Sequence, residues 1–107
     1  VIIITGSITA RPETIDELVA GSLEHVRRSR REPGCISHAV HRDVENPLRL
    51  VFIEQWESPA AVRAHFEVPA SAEFVRSAAA LSDSPPSLEM FAATPAGGLA
   101  ADDVSAG

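Results

Sequence analysis

Lysine and tyrosine are both absent from the 107 residues, and cysteine, methionine and tryptophan occur once each. With Cys35 alone, no disulfide can form within the chain, and a reducing compartment is the default expectation. Cys35 has no local signature of a nucleophile and reads as a small packed residue. No CxxC, HExxH, Walker or GxGxxG pattern occurs, so no motif announces a metal, flavin or nicotinamide. No apolar run approaches the roughly 20 residues that span a bilayer. The opening Val1-Ile2-Ile3-Ile4 lacks a basic leader and soon turns polar, unlike a signal peptide. A cytoplasmic protein is expected.

Charge narrows the class further. The formal net charge of -6 argues against a nucleic-acid surface. Arginine supplies all nine basic residues, and Arg27, Arg28, Arg30 and Arg31 crowd the end of a predicted helix. Cations there complement the helix macrodipole, and we read the group as a solvated face rather than an anion site.

What is present is a core-forming chain, 45% hydrophobic and long enough for one domain. Residues 1–10 read as a strand, ended by Arg11-Pro12. From Glu13 to about Arg31, Ile15, Leu18, Val19, Ser22, Val26 and Ser29 recur at helical spacing. Pro33-Gly34 stops that helix. Residues 35–43 alternate as a second strand, 43–47 form a hairpin loop, and 48–57 form a third strand. Ser58-Pro59 starts a short helix to about Glu67, Pro69 interrupts it, and Phe74, Val75, Ala78 and Leu81 mark a second helical piece. Ser87 to Ala93 is a fourth strand. Thr94 to Gly107, rich in Ala and Gly, reads as a flexible tail or an arm exchanged between subunits.

The order β-α-β-β-α-β is that of an α+β ferredoxin-like fold, with helices on one face of a four-stranded antiparallel sheet. Ile2-Ile3-Ile4 and Leu50 to Ile53 present bulky apolar groups to both faces, and helices can cover only one. A second copy of the chain is the natural cover, which predicts a homodimer.

Three polar residues gather near one edge of this core. Leu50, Phe52, Glu54 and Trp56 share a strand face, and Val62, His65 and Phe66 share a helix face. If the two faces meet, Glu54, Trp56 and His65 border one cavity. His65 suits proton transfer near neutrality, and burial could raise the Glu54 carboxyl into a useful range. Each also has a plain packing role: His65 as a satisfied core residue, Glu54 as an ion-pair partner, Trp56 as filling. His38 and His41, three apart on a strand, point to opposite faces and cannot hold one ion together.

Several stretches carry a family likeness: Glu32-Pro33-Gly34-Cys35, His41-Arg42-Asp43, Asn46-Pro47, Glu54-x-Trp56-x-Ser58, His65 and Phe74. On these the chain resembles the antibiotic biosynthesis monooxygenase family over about residues 1 to 93. The resemblance implies a dimeric α+β barrel with a pocket between sheet and helices. It also implies cofactor-free oxidation of phenolic or quinol-like aromatics by molecular oxygen. His38 stands where family members often carry Tyr. The haem-degrading branch is disfavoured, since strand one offers Thr5 and Ser7 where that branch uses Asn, and no helical His lies among Ala78 to Ala80.

The resulting expectation is a cofactor-independent, metal-free monooxygenase of a small hydroxylated aromatic. His65 would be the base or an orienting donor, and Glu54 a partner that either supports it from behind or accepts the proton. Trp56 would wall the pocket and His38 stand near its mouth, with Phe52, Phe66 and Thr5 completing the substrate contacts. A proton-shuttling isomerase on the same fold, or a non-catalytic binding module, remains the alternative.

Overall fold

The computed structural model describes residues 1–98. Strand β1 is Ile2–Thr9, helix α1 is Ile15–Ser29, and β2 and β3 are Cys35–Arg42 and Arg49–Trp56. Helices α2 (Pro59–Glu67) and α3 (Pro69–Leu81) follow, then β4 (Ser87–Ala92). Each boundary has a local cause. Gly34 closes the α1–β2 connection at φ +83, a left-handed conformation that side chains disfavour. The Ser58 side chain accepts from the Ala61 amide at 3.1 Å, and Pro59 takes the first helical position. Val68, extended before Pro69, separates α2 from α3.

The four strands pair antiparallel in the order β2-β3-β1-β4, the expected ferredoxin-like sheet. One face of β3 is buried along its length at Leu50, Phe52, Glu54 and Trp56, as side-chain alternation anticipated. Ile4 and Ile8 of β1 lie on the same side, with Leu18 and Val26 of α1 and Ala78 of α3 packed over the sheet. Trp56, Ile4 and Val62 form a second apolar cluster at the other end. Between the two clusters stand Glu54 and a set of histidines, and there the site lies.

The opposite face is bare. Ile53 is 43% exposed and Phe91 48% exposed, and pairing Thr5 to Ile53 and Ile3 to Phe91 puts them on one surface. Every residue of β4 is exposed. Among the described residues, no helix is long and apolar enough to cross a membrane. Residues 93–98 form neither helix nor strand, and the rest of the expected tail or arm, 99–107, lies outside the described residues.

Candidate active site

Helix α1 turns Leu18, Ser22, His25, Val26 and Ser29 onto the sheet, because residues three and four apart share a helix face. That spacing carries His25 inward among apolar neighbours. Helix α2 does the same with Val62 and His65, and β3 delivers Glu54 two residues before Trp56. A cavity of about 290 Å³ opens between sheet and helices. Its apolar walls include Phe52, Phe66, Phe74, Val75 and Leu88, and its polar groups include His25, Glu54, His65 and Ser71.

His65 is 3% exposed, and its Nδ1 lies 2.7 Å from Glu32 Oε1. A carboxylate has no proton to give, so Nδ1 carries the hydrogen and donates it. The remaining nitrogen, Nε2, keeps its lone pair. Glu32 reaches this position from the turn after α1, just before Pro33-Gly34. A carboxylate that fixes the tautomer and orientation of a buried imidazole is the arrangement of a positioned base.

Glu54 is held differently. Trp56 Nε1 donates to its Oε1 at 2.9 Å, and His38 Nε2 lies 3.2 Å from the same oxygen. Burial pushes the carboxyl up, but His38 and the Trp56 hydrogen bond outweigh it, and the group titrates below the usual carboxylate range. The expected rise through desolvation is therefore reversed, and the environment favours the ionised form. His38 itself meets Glu54 off the line of its N–H, and neither of its ring nitrogens completes a hydrogen bond.

His25 completes the cluster. Its ring stacks on Phe74 at 4.3 Å and 9°, and Arg28 donates to its Nδ1 at 2.8 Å. Burial, then the neighbouring His38 and His65, push its pKa down to about 3, so it is neutral at any ordinary pH. The arginine cluster is thus only partly a solvated face. Arg27, Arg30 and Arg31 are exposed, but Arg30 Nε donates to the His38 carbonyl at 2.8 Å, and the partly buried Arg28 holds His25.

The structure brings His65, Glu54, Phe52 and Phe66 to the cavity. It does not bring Trp56, His38 or Thr5 to the cavity wall. Trp56 is fully buried beside His65, its ring 4.6 Å away, and packs against that imidazole rather than offering a flat face to a ligand. His38 is 1% exposed, behind Glu54 and far from a mouth position, because its partner in register is Glu54 on the inner face. Thr5 pairs with Ile53, and alternation turns it to the bare side of the sheet. His25 and Glu32 were not among the expected site residues. His25 shares the α1 face with Leu18 and Ser22, and that spacing was a readable signal. Glu32 follows the helix in a turn, where no periodicity points.

Comparison with known proteins agrees with this geometry. The family model described as antibiotic biosynthesis monooxygenase matches residues 1–77. An uncharacterized protein from Synechocystis is 32% identical over 90 residues, covering 84% of this chain and 61% of that protein. The chain thus spans about three fifths of the length of the curated relative it matches. A crystal structure of an antibiotic biosynthesis monooxygenase superposes with a TM-score of 0.82 at 25% identity, over 89% of this chain and 100% of that one. A Pseudomonas aeruginosa protein superposes at 0.79 with 26% identity, over 88% and 94%. From strand order, helix placement and this match over most of its length, the chain belongs to the antibiotic biosynthesis monooxygenase family.

Proposed function

We propose that the protein is a cofactor-independent monooxygenase of a small hydroxylated aromatic or quinol, working as a homodimer in the cytoplasm. One observation carries the reading: a buried imidazole, held at Nδ1 by Glu32, on a residue that lines an apolar cavity. His65 Nε2 takes the hydroxyl proton, and the Glu32 carboxylate stabilises the imidazolium that forms. The substrate anion is electron-rich enough to pass one electron to molecular oxygen, giving a substrate radical and superoxide. Their recombination makes the carbon–oxygen bond of a peroxide anion, the His65 imidazolium returns its proton to give the hydroperoxide, and loss of water, taking the hydrogen from the same carbon, leaves a quinone. Phe52, Phe66 and Phe74 suit an aromatic ring and exclude water from the radical pair. Glu54, ionised and facing the cavity, takes a second hydroxyl.

The homodimer follows from the bare sheet face carrying Ile53 and Phe91. A second sheet against it would bury that surface, and the lone Cys35 suits a reducing compartment.

Oxygen-electrode traces with a panel of naphthols, anthrones and quinols test the reaction class. Stoichiometric uptake with quinone formation is expected for at least one of them. Exchange of a substrate carbon-bound proton with solvent deuterium, without oxygen uptake, would instead assign an isomerase. Tight binding with neither would assign a binding module.

A further inference from the structure

His25, His38 and His65 come from three different elements, α1, β2 and α2, and are 6%, 1% and 3% exposed. One ring nitrogen from each lies within 4.8 Å of the other two. Buried imidazoles normally satisfy their nitrogens with hydrogen bonds. These do not do so with one another: the ring contacts run from 5.3 to 5.6 Å between centroids, and no hydrogen bond joins any two. His38, the most buried, has no hydrogen bond at either nitrogen. Three imidazoles from three elements are therefore close enough for one nitrogen of each to converge on a single ion.

We propose that this cluster is a site for one divalent first-row transition ion, and that the ion occupies the His65 lone pair and so switches off the base. The second half rests on the reading of His65 given above. The donor set is imidazole, which selects ions such as zinc, cobalt, nickel or copper over magnesium and calcium. Glu32 already holds His65 as outer carboxylates hold metal-binding histidines, with the proton on Nδ1 and Nε2 left to bind an ion. Glu54 Oε1, 3.2 Å from His38 Nε2, provides a fourth donor, or the cavity supplies water there. Bonds of about 2.0–2.1 Å in a tetrahedron need nitrogens roughly 3.4 Å apart, so the rings close in by up to about 1.4 Å by side-chain rotation.

Arg28 works against the ion. Its guanidinium donates to His25 Nδ1, which occupies that nitrogen and puts the ring proton on Nε2, so neither is ready to bind an ion. Loading requires Arg28 to release and the proton to sit on Nδ1. Glutamine at this position would accept a hydrogen bond from that N–H through its carbonyl and remove a positive charge from beside the ion. Arg28 therefore sets how readily the site fills.

Cobalt(II) titration of chelator-treated protein reads the site without turnover, through the visible absorption of a low-coordinate, nitrogen-bound ion. One equivalent per chain is expected, displaced by zinc. His38→Gln and His25→Ala should weaken binding by about 10-fold or more, and Arg28→Gln should tighten it several-fold, with circular dichroism confirming the fold. No cobalt spectrum in either wild type or Arg28→Gln would overturn the site. Binding unchanged by His38→Gln and His25→Ala would overturn it too, placing the ion elsewhere. Zinc should abolish oxygen uptake with the same midpoint as it displaces cobalt. Full activity in the zinc-loaded protein would overturn the switch, while the cobalt result would still stand or fall by itself.

Discussion

Glu32 touches no cavity surface, yet it decides which nitrogen of His65 can accept a proton. With His65 as the proposed base, Glu32 would be a positioning residue whose loss should show in the chemical step. Glu32→Gln is expected to lower kcat by about 10-fold or more with KM little changed, since amide and carboxylate have the same bulk but the amide has no charge to stabilise an imidazolium and can also donate to Nδ1. A change confined to KM would mean that Glu32 only shapes the cavity. Ser22 makes a simpler case. It is fully buried in α1, and its hydroxyl has no partner. Ser22→Ala removes an unsatisfied group and improves helix propensity, so stability should rise by about 0.5–1 kcal/mol, or about 4 °C in Tm. A fall in Tm would mean the hydroxyl is bonded in solution. The sequence showed Glu54, Trp56 and His65 converging because strand and helix periodicities place side chains. It did not show which of them a ligand would touch, since that depends on the depth of each ring behind the wall.

Among the elements, the two connections around β2 carry the sharpest requirements. A side chain at Gly34 would put a Cβ 2.5 Å from Ala61 Cβ, at a φ of +83 that favours glycine. Gly34→Ala should therefore cost about 2 kcal/mol or more and loosen the turn that presents Glu32. Thermal unfolding would show a Tm about 10 °C lower; an unchanged Tm would mean the α1–β2 turn is not as described. At the other end of β2, the Glu45 amide donates to Asp43 at 2.8 Å, and Arg49 pairs with the other carboxylate oxygen at 3.2 Å. The backbone hydrogen bond at Glu45, opposed by slight desolvation and helped by Arg49, holds the Asp43 carboxyl below its usual range. A lowered folded pKa means the hairpin's support is present above the unfolded carboxylate pKa and fades as pH falls through the folded one. Carboxyl NMR titration of Arg49→Ala should still find Asp43 depressed, because the amide at Glu45 is the larger cause. A return to the ordinary value would assign the effect to Arg49. Every strand and helix was legible from alternation, helical spacing and the Pro and Gly stops, with ends within about two residues, because these signals are local. The partners of Arg28 and Arg30 were not, since a run of arginines at a helix end looks the same whether it faces water or reaches back inside.

At the scale of the molecule, the sheet has helices on one side and Ile53 and Phe91 uncovered on the other. Light scattering after gel filtration is expected to give about twice the 11.4 kDa chain mass. Ile53→Glu should drive the species toward monomer by placing a charge in the shared layer. A monodisperse wild-type monomer at micromolar concentration would contradict the two-sheet assembly. What the cavity does with a proton decides the reaction. Oxygen uptake by metal-free His65→Ala, its fold checked by circular dichroism and compared with wild type on a substrate found in the panel, tests it most directly. Turnover should fall roughly 10²-fold or more, the usual loss for a positioned proton-transfer group, and His65→Gln should not restore it. Wild-type turnover in folded His65→Ala would contradict the assignment of His65 as the base.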